Sequence, residues 1–356
     1  MRKFIDFCHT KGVRPSAKTY FIDAMGAMAL GLFASLLMST ILSTIGNFVF
    51  KNETSDFLHT IAGYASGASG MAIGCAVACA LKAPPLVLAS CAVVGSIGYS
   101  LPTVFTIAGA DKALTAGPAG AFFAVLVACE LGKLVCKSTK VDILVTPSVT
   151  LLSGYAVSAL LCPGIAYMMY YLGQFINYAT EMQPILMGIV ISVVVGIILT
   201  LPISSAAICA MIGITGIAGG AATAGCCAQM VGFAVISYRE NKIGGLVAQG
   251  LGTSMLQMGN ICRNPRIWIP AILASAITGP LATTIFKLKC TGVSAGMGTC
   301  GLVGPIGVFS ASGSGTMTII GVLLICILLP AILSLIFSEI LRKIGWIKQG
   351  DMKLEM

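Results

Sequence analysis

Nine apolar runs decide what this chain can become. They fall at 20–46, 58–81, 84–108, 114–136, 141–172, 183–209, 211–237, 267–286 and 316–341, and each reaches the roughly 20 residues that a helix needs to cross a bilayer. With no water in the hydrocarbon core to receive backbone N–H and C=O groups, such runs must close their hydrogen bonds internally, as helices. Composition points the same way: 57% of residues are apolar and 9% charged, against about a quarter charged in soluble domains. The expected fold is an all-α polytopic membrane protein, with residues 1–356 forming one membrane-embedded domain. No stretch is long and polar enough for a separate soluble domain.

The net charge of +9 is spread singly over short loops and the two ends, which reads as topology and excludes a nucleic-acid face. Arg2, Lys3, Lys11, Arg14 and Lys18 precede the first run, within a basic segment 1–19, and Arg342, Lys343, Lys348 and Lys353 lie in the tail 342–356. Both termini are therefore expected in the cytoplasm, with Lys133, Lys137 and Lys140 in another inside loop. Cytoplasmic ends require an even number of crossings, and about ten fit the runs. The first run is expected to stay as an uncleaved helix. The fourteen cysteines lie mostly within apolar runs, without metal-site spacing, and read as small hydrophobes; no metal or other cofactor is implied.

An internal similarity divides the chain into helical halves, 20–172 and 183–341. Ile61-x-Gly63-x-Ala65-x-Gly67-Ala68 matches Ile214-x-Gly216-x-Ala218-x-Gly220-Ala221, each after a helix bearing a Met-Gly pair, Met25-Gly26 and Met187-Gly188. An inverted repeat of five helices in each half, of the kind transporters use, is one reading; shared small-residue composition for helix packing is the other.

Two shorter glycine-rich runs, 244–261 and 291–310, stand apart. The stretch Tyr238 to Pro265 gathers Arg239, Glu240, Lys242, Gln249, Thr253, Gln257, Asn260, Arg263 and Asn264 around glycines. Lipid tolerates glycine-exposed backbone only where it is buried in protein or lines a wet cavity. The stretch is read as a broken or re-entrant segment, with an amphipathic surface loop as the alternative. Gln229, Gln249, Gln257, Asn260 and Asn264 both donate and accept, which suits sugar or polyol hydroxyls. Ser294 and Thr299 offer hydroxyls from the second run, and the two runs could meet near the midplane if they enter from opposite faces.

Charges near spans are function candidates by default, so Glu130, Asp142 and Glu240 are candidates for proton or ion coupling. Two of them also have an ordinary reading: Glu130 as partner of Lys133 one turn away, Asp142 as a helix-start acid; Glu240, between Arg239 and Lys242, adjoins the glycine-rich segment. Asp111 and Lys112 are expected in a turn. His9 and His59 have no spaced partner for catalysis or phosphorelay, and no catalytic nucleophile or nucleotide motif is present.

The blocks Ala-Gly-Cys-Cys-Ala-Gln-Met-Val-Gly-Phe-Ala (224–234), Ser-Tyr-Arg-Glu-Asn (237–241), Ala-Gln-Gly-Leu-Gly-Thr-Ser-Met (248–255), Arg-Asn-Pro-Arg-Ile-Trp-Ile-Pro (263–270) and Gly-Met-Gly-Thr-Cys-Gly-Leu-Val-Gly (296–304) resemble the enzyme IIC type 2 family of the phosphotransferase system. That family also holds a regulator of perfringolysin O. The resemblance implies a bacterial plasma-membrane permease surrounded by lipid, a small polar sugar or polyol as substrate, separate soluble enzyme IIB and IIA phosphocarriers, and a homodimer. The alternatives are a membrane sensor that regulates gene expression and an ion-coupled secondary transporter.

Overall fold

The computed structural model describes residues 10–354 apart from 14, 15, 17, 49–52, 108–109, 181 and 314. Arg2, Lys3, His9 and Arg14 lie outside the described residues. The chain divides into two compact units, 1–36 with 63–169, and 37–62 with 170–356. Six helices are long and apolar enough to cross a membrane, or seven when one bent pair counts as a span, among the described residues.

The first unit takes in the start of α1 (Ala24–Ser43), the end of α2 (Glu53–Gly67), α3 (Ser69–Ala80), α4 (Pro85–Ser100), β1 (Pro102–Ile107), β2 (Ala110–Thr115), α5 (Gly117–Val135) and most of α6 (Asp142–Ala179). The expected run 58–81 is two helices, α2 and α3, bent by 51° across Ala68. Met28, Ile73, Val77, Val87, Val94, Phe122 and Val125 form the buried interior.

The expected run 84–108 stops being helical at Ser100 and continues as an antiparallel strand pair, within a chain that is otherwise helical as expected. Pro102 has no N–H to continue the helix, and the β-branched and aromatic sequence Thr103-Val-Phe-Thr-Ile107 favours extended backbone. Asp111 and Lys112 pair with Thr106 and Phe105 in this ladder, so they lie in a strand and not in a turn.

The second unit is built on α9 (Gly216–Ile236). Small residues crowd this helix, and nearly all of it is buried, so its neighbours can approach its backbone closely. Those neighbours are α7 (Pro184–Thr200), α12 (Pro265–Thr284) and α14 (Thr316–Lys343). A side chain on Gly225 would run into the carbonyl of Ser192 on α7. The run 183–209 breaks after Thr200, at Pro202, and resumes as the short α8 (Ser205–Met211). The remaining elements, α10 (Tyr238–Val247), α11 (Met258–Arg263) and α13 (Val303–Ser312), belong to the glycine-rich segments.

Candidate functional site

The segment from Tyr238 to Pro265 is a chain of short helical pieces, each ended by an identifiable residue. Within α10, Lys242 has φ 53° and ψ −151°, a conformation that costs a side-chain-bearing residue about 1–3 kcal/mol. A π-helical turn, Ala248–Gly252, follows and closes when Thr253 N–H donates to the Ala248 carbonyl at 3.0 Å. Thr253 is extended, and its hydroxyl accepts from Met255 N–H at 3.1 Å, starting a 3-10 turn over Ser254–Gln257 that leads into α11. Asn264 is extended too; its side-chain oxygen accepts from Arg266 N–H at 3.2 Å ahead of Pro265, an N-cap followed by proline in the first turn. Residues 252–261 are all buried, as a segment that enters the protein requires, whereas Ile243, Leu246, Val247 and Leu251 are exposed.

Three buried amides form a ladder. Gln249 donates to Ser237 Oγ at 2.8 Å and to the Gly245 carbonyl at 3.0 Å. Gln257 donates to Gln249 Oε1 at 2.9 Å and to the Met352 carbonyl at 3.0 Å. Asn260 donates to Gln257 Oε1 at 2.8 Å and to the Lys353 carbonyl at 3.0 Å. All six amide N–H bonds of the ladder therefore have protein partners, two of them on the C-terminal tail.

Further contacts hold the same tail. Asn241 Nδ2 donates to the Met352 carbonyl and Leu354 N–H donates to Asn241 Oδ1, both at 2.8 Å. Asn264 donates to the Trp346 carbonyl at 3.1 Å and to Asp351 Oδ2 at 2.8 Å. Glu240 Oε1 accepts from Gly350 N–H at 3.1 Å and pairs with Arg342 at 3.3 Å, while its Oε2 is buried without a partner. Ile347 and Met352 are buried among Phe233, Ile236, Ile261, Ile267, Ala271 and Leu341.

A second polar cluster lies deeper in α9. Gln229 Oε1 accepts from Trp268 Nε1 at 2.9 Å and from Thr200 Oγ1 at 3.5 Å, and its amide donates to Ser275 Oγ at 3.4 Å. Thr200 and Ser254 share a hydroxyl hydrogen bond of 2.8 Å, which ties this cluster to the glycine-rich segment. The second glycine-rich segment meets the first where Thr299 Oγ1 donates to the Gly250 carbonyl at 2.5 Å. Gly298, at φ 55°, lies so close to Cys226 that any side chain would collide with the α9 backbone. Ser294 packs against Gly307.

Of the residues nominated from sequence, Gln229, Glu240, Gln249, Thr253, Gln257, Asn260, Asn264, Ser294 and Thr299 all belong to the second unit. Glu130 and Asp142 belong to the first. There Glu130 pairs with the buried Lys133 at 3.0 Å, and Asp142 accepts from Lys137 N–H and Thr146 Oγ1, each at 2.7 Å. Sequence reasoning missed Asn241, Trp268, Thr200, Ser237 and the tail. Asn241 and Trp268 sit inside the quoted polar blocks and could have been nominated; no local pattern marks the Met352 carbonyl as the partner of Asn241.

The arrangement is one of neutral amides and hydroxyls, groups that exchange hydrogen bonds without covalent chemistry. A family model described as "Phosphotransferase system, EIIC" matches residues 22–354. No curated protein and no solved structure matches the chain. The chain belongs to the phosphotransferase-system EIIC family, and is a multi-pass plasma-membrane protein that works within lipid alongside soluble IIB and IIA components.

Proposed function

We propose that this chain translocates a sugar or polyol, and that Gln249, Thr253, Gln257, Asn260 and Thr299 hold the substrate hydroxyls. The observation that carries this reading is the junction of the two glycine-rich segments at Thr299 and Gly250, beside a ladder of side chains that both donate and accept. Substrate hydroxyls would exchange for hydrogen bonds that the protein makes with itself. Gln229, held by Trp268, Ser275 and Thr200, would support the site from α9. Phosphate would reach the sugar from a separate IIB protein.

In the same reading, the shorter apolar helices Pro85–Ser100, Pro184–Thr200 and Cys300–Ser312 join the longer spans to give about ten crossings, with both termini cytoplasmic. The working form is a homodimer. Uptake of labelled hexoses and hexitols into proteoliposomes, with and without IIB, tests the function. Saturable uptake of one of them is expected, and its absence for all would refute the reading. Labelling of single cysteines placed at Lys18 and Lys348 tests the topology, and modification of both from outside would reverse it.

A further inference from the structure

From the bonds around Met352, we infer that the tail segment Trp346–Leu354 is a latch on the glycine-rich segment, and that it must release before the amide ladder can take a ligand. The inference rests on the proposed site for its consequence in transport, but its structural half stands alone. The tail folds as successive turns, with Asp351 N–H donating to the Lys348 carbonyl and Lys353 N–H to the Gly350 carbonyl, each at 3.2 Å, and side chains of the glycine-rich segment grip its backbone. Asn241 both donates to and accepts from the backbone at Met352 and Leu354, while Gln257 and Asn260 take the successive carbonyls of Met352 and Lys353. Two apolar side chains, Ile347 and Met352, anchor it.

Three features make this contact reversible and not simply part of the fold. The tail's polar contacts are made by neutral amides and one carboxylate, groups that a polyol's hydroxyls could satisfy as well. The segment they grip is intrinsically weak, with a π-helical turn and a strained Lys242 in place of one continuous helix. Only two tail side chains are deeply buried, so release of the tail uncovers the one apolar cluster around Phe233 and Ile236 and leaves the packing of α9 against α7 in place. When it leaves, the ladder loses the Met352 and Lys353 carbonyls and its donors become free for hydroxyl acceptors.

The test uses the whole chain in nanodiscs. Ile347→Asp together with Met352→Asp makes docking of the tail require burial of two charges, and should raise amide hydrogen exchange across 249–261 about tenfold or more. The complementary variant carries Asn264→Cys and Asp351→Cys, with the exposed Cys79 and Cys262 replaced by serine. Bridging the new pair with a short bis-methanethiosulfonate should stop uptake of labelled hexoses and hexitols, and a reductant should restore it. Unchanged exchange in the released variant overturns the latch, and so does uptake by the bridged protein at the unbridged rate. If the released variant does not fold, the bridged one decides. If the wild type takes up none of these compounds, the transport reading falls, while exchange at 249–261, measured bridged and unbridged, still judges the latch: bridging must slow it.

Discussion

Replacing Gln257 by leucine separates two roles that an intramembrane amide can have. The side chain makes three hydrogen bonds, to Gln249 Oε1, to the Met352 carbonyl and from Asn260 Nδ2. Leucine fills a similar volume but leaves two acceptors and one donor orphaned in a buried site. At about 1–3 kcal/mol per orphan, reduced by whatever Gln249 recovers through rotation, the loss is about 3–5 kcal/mol of basal stability. For a protein of this size that corresponds to a fall in Tm of roughly 4–7 °C. The chain carries its own probe, since ten described cysteines are buried and react with a fluorogenic thiol dye only on unfolding. Gln249→Leu in the same protein should cost less than the sum of the single changes, by about 1–2 kcal/mol, because the orphaned Gln249 oxygen is gone. A Gln257→Leu protein with wild-type Tm and no ligand-dependent stabilisation would refute this reasoning, because the ladder would then be a loosely held ligand surface and not a stitched one.

Lys133→Met should lower stability by about 3–5 kcal/mol, because it strands the Glu130 carboxylate together with the Gly12 and Leu81 carbonyls; adding Glu130→Gln should recover part of it, as dye-monitored melting will show. Gly225→Ala should cost about 1–3 kcal/mol through the clash with the Ser192 carbonyl, read as a lowered Tm with no effect specific to ligand. Lys82→Gly should raise Tm by an amount equivalent to about 1 kcal/mol, whereas Lys82→Ala, which keeps its Cβ, should not; equal melting of the two would remove backbone strain as the cause.

Membrane class and the positions of most long helices were legible because hydropathy is a local property and the bilayer enforces it. The helix from Gly216 to Ile236 and the one from Thr316 to Lys343 lie almost where continuous apolar residues put them. The break at Pro102 was less visible, since Leu, Val and Ile suit a strand as well as a helix and only the proline distinguished them. The site was half legible. Polar residues in an oily chain identify themselves, so Gln249, Gln257 and Asn260 stood out, as did Gln229. Their partners could not be read, because Met352 and Lys353 contribute backbone carbonyls, which every residue has, from about ninety residues away. Local patterns name the groups that need satisfaction but not who satisfies them.

The four lysines with left-handed backbone conformation connect helix chemistry with topology. Lys82, Lys137, Lys242 and Lys287 have φ between 45° and 57°, and all four are exposed. Lys82 follows α3 in a Schellman arrangement, in which Ala83 N–H donates to the Ala78 carbonyl and Lys82 N–H to the Cys79 carbonyl, each at 2.9 Å. Glycine would adopt that backbone without strain, so the lysine must return something else. A cation just past a helix C-terminus meets the negative end of the dipole, and in a bilayer its long side chain extends to the headgroups and resists translocation. In the first unit, Lys133 bonds the Leu81 carbonyl beside Lys82, and Lys11 bonds the Cys136 carbonyl beside Lys137. Lys82, Lys133, Lys137 and Lys11 therefore gather at one end of the unit, the distribution expected if strained lysines are kept where glycine would fold better because their charge resists translocation.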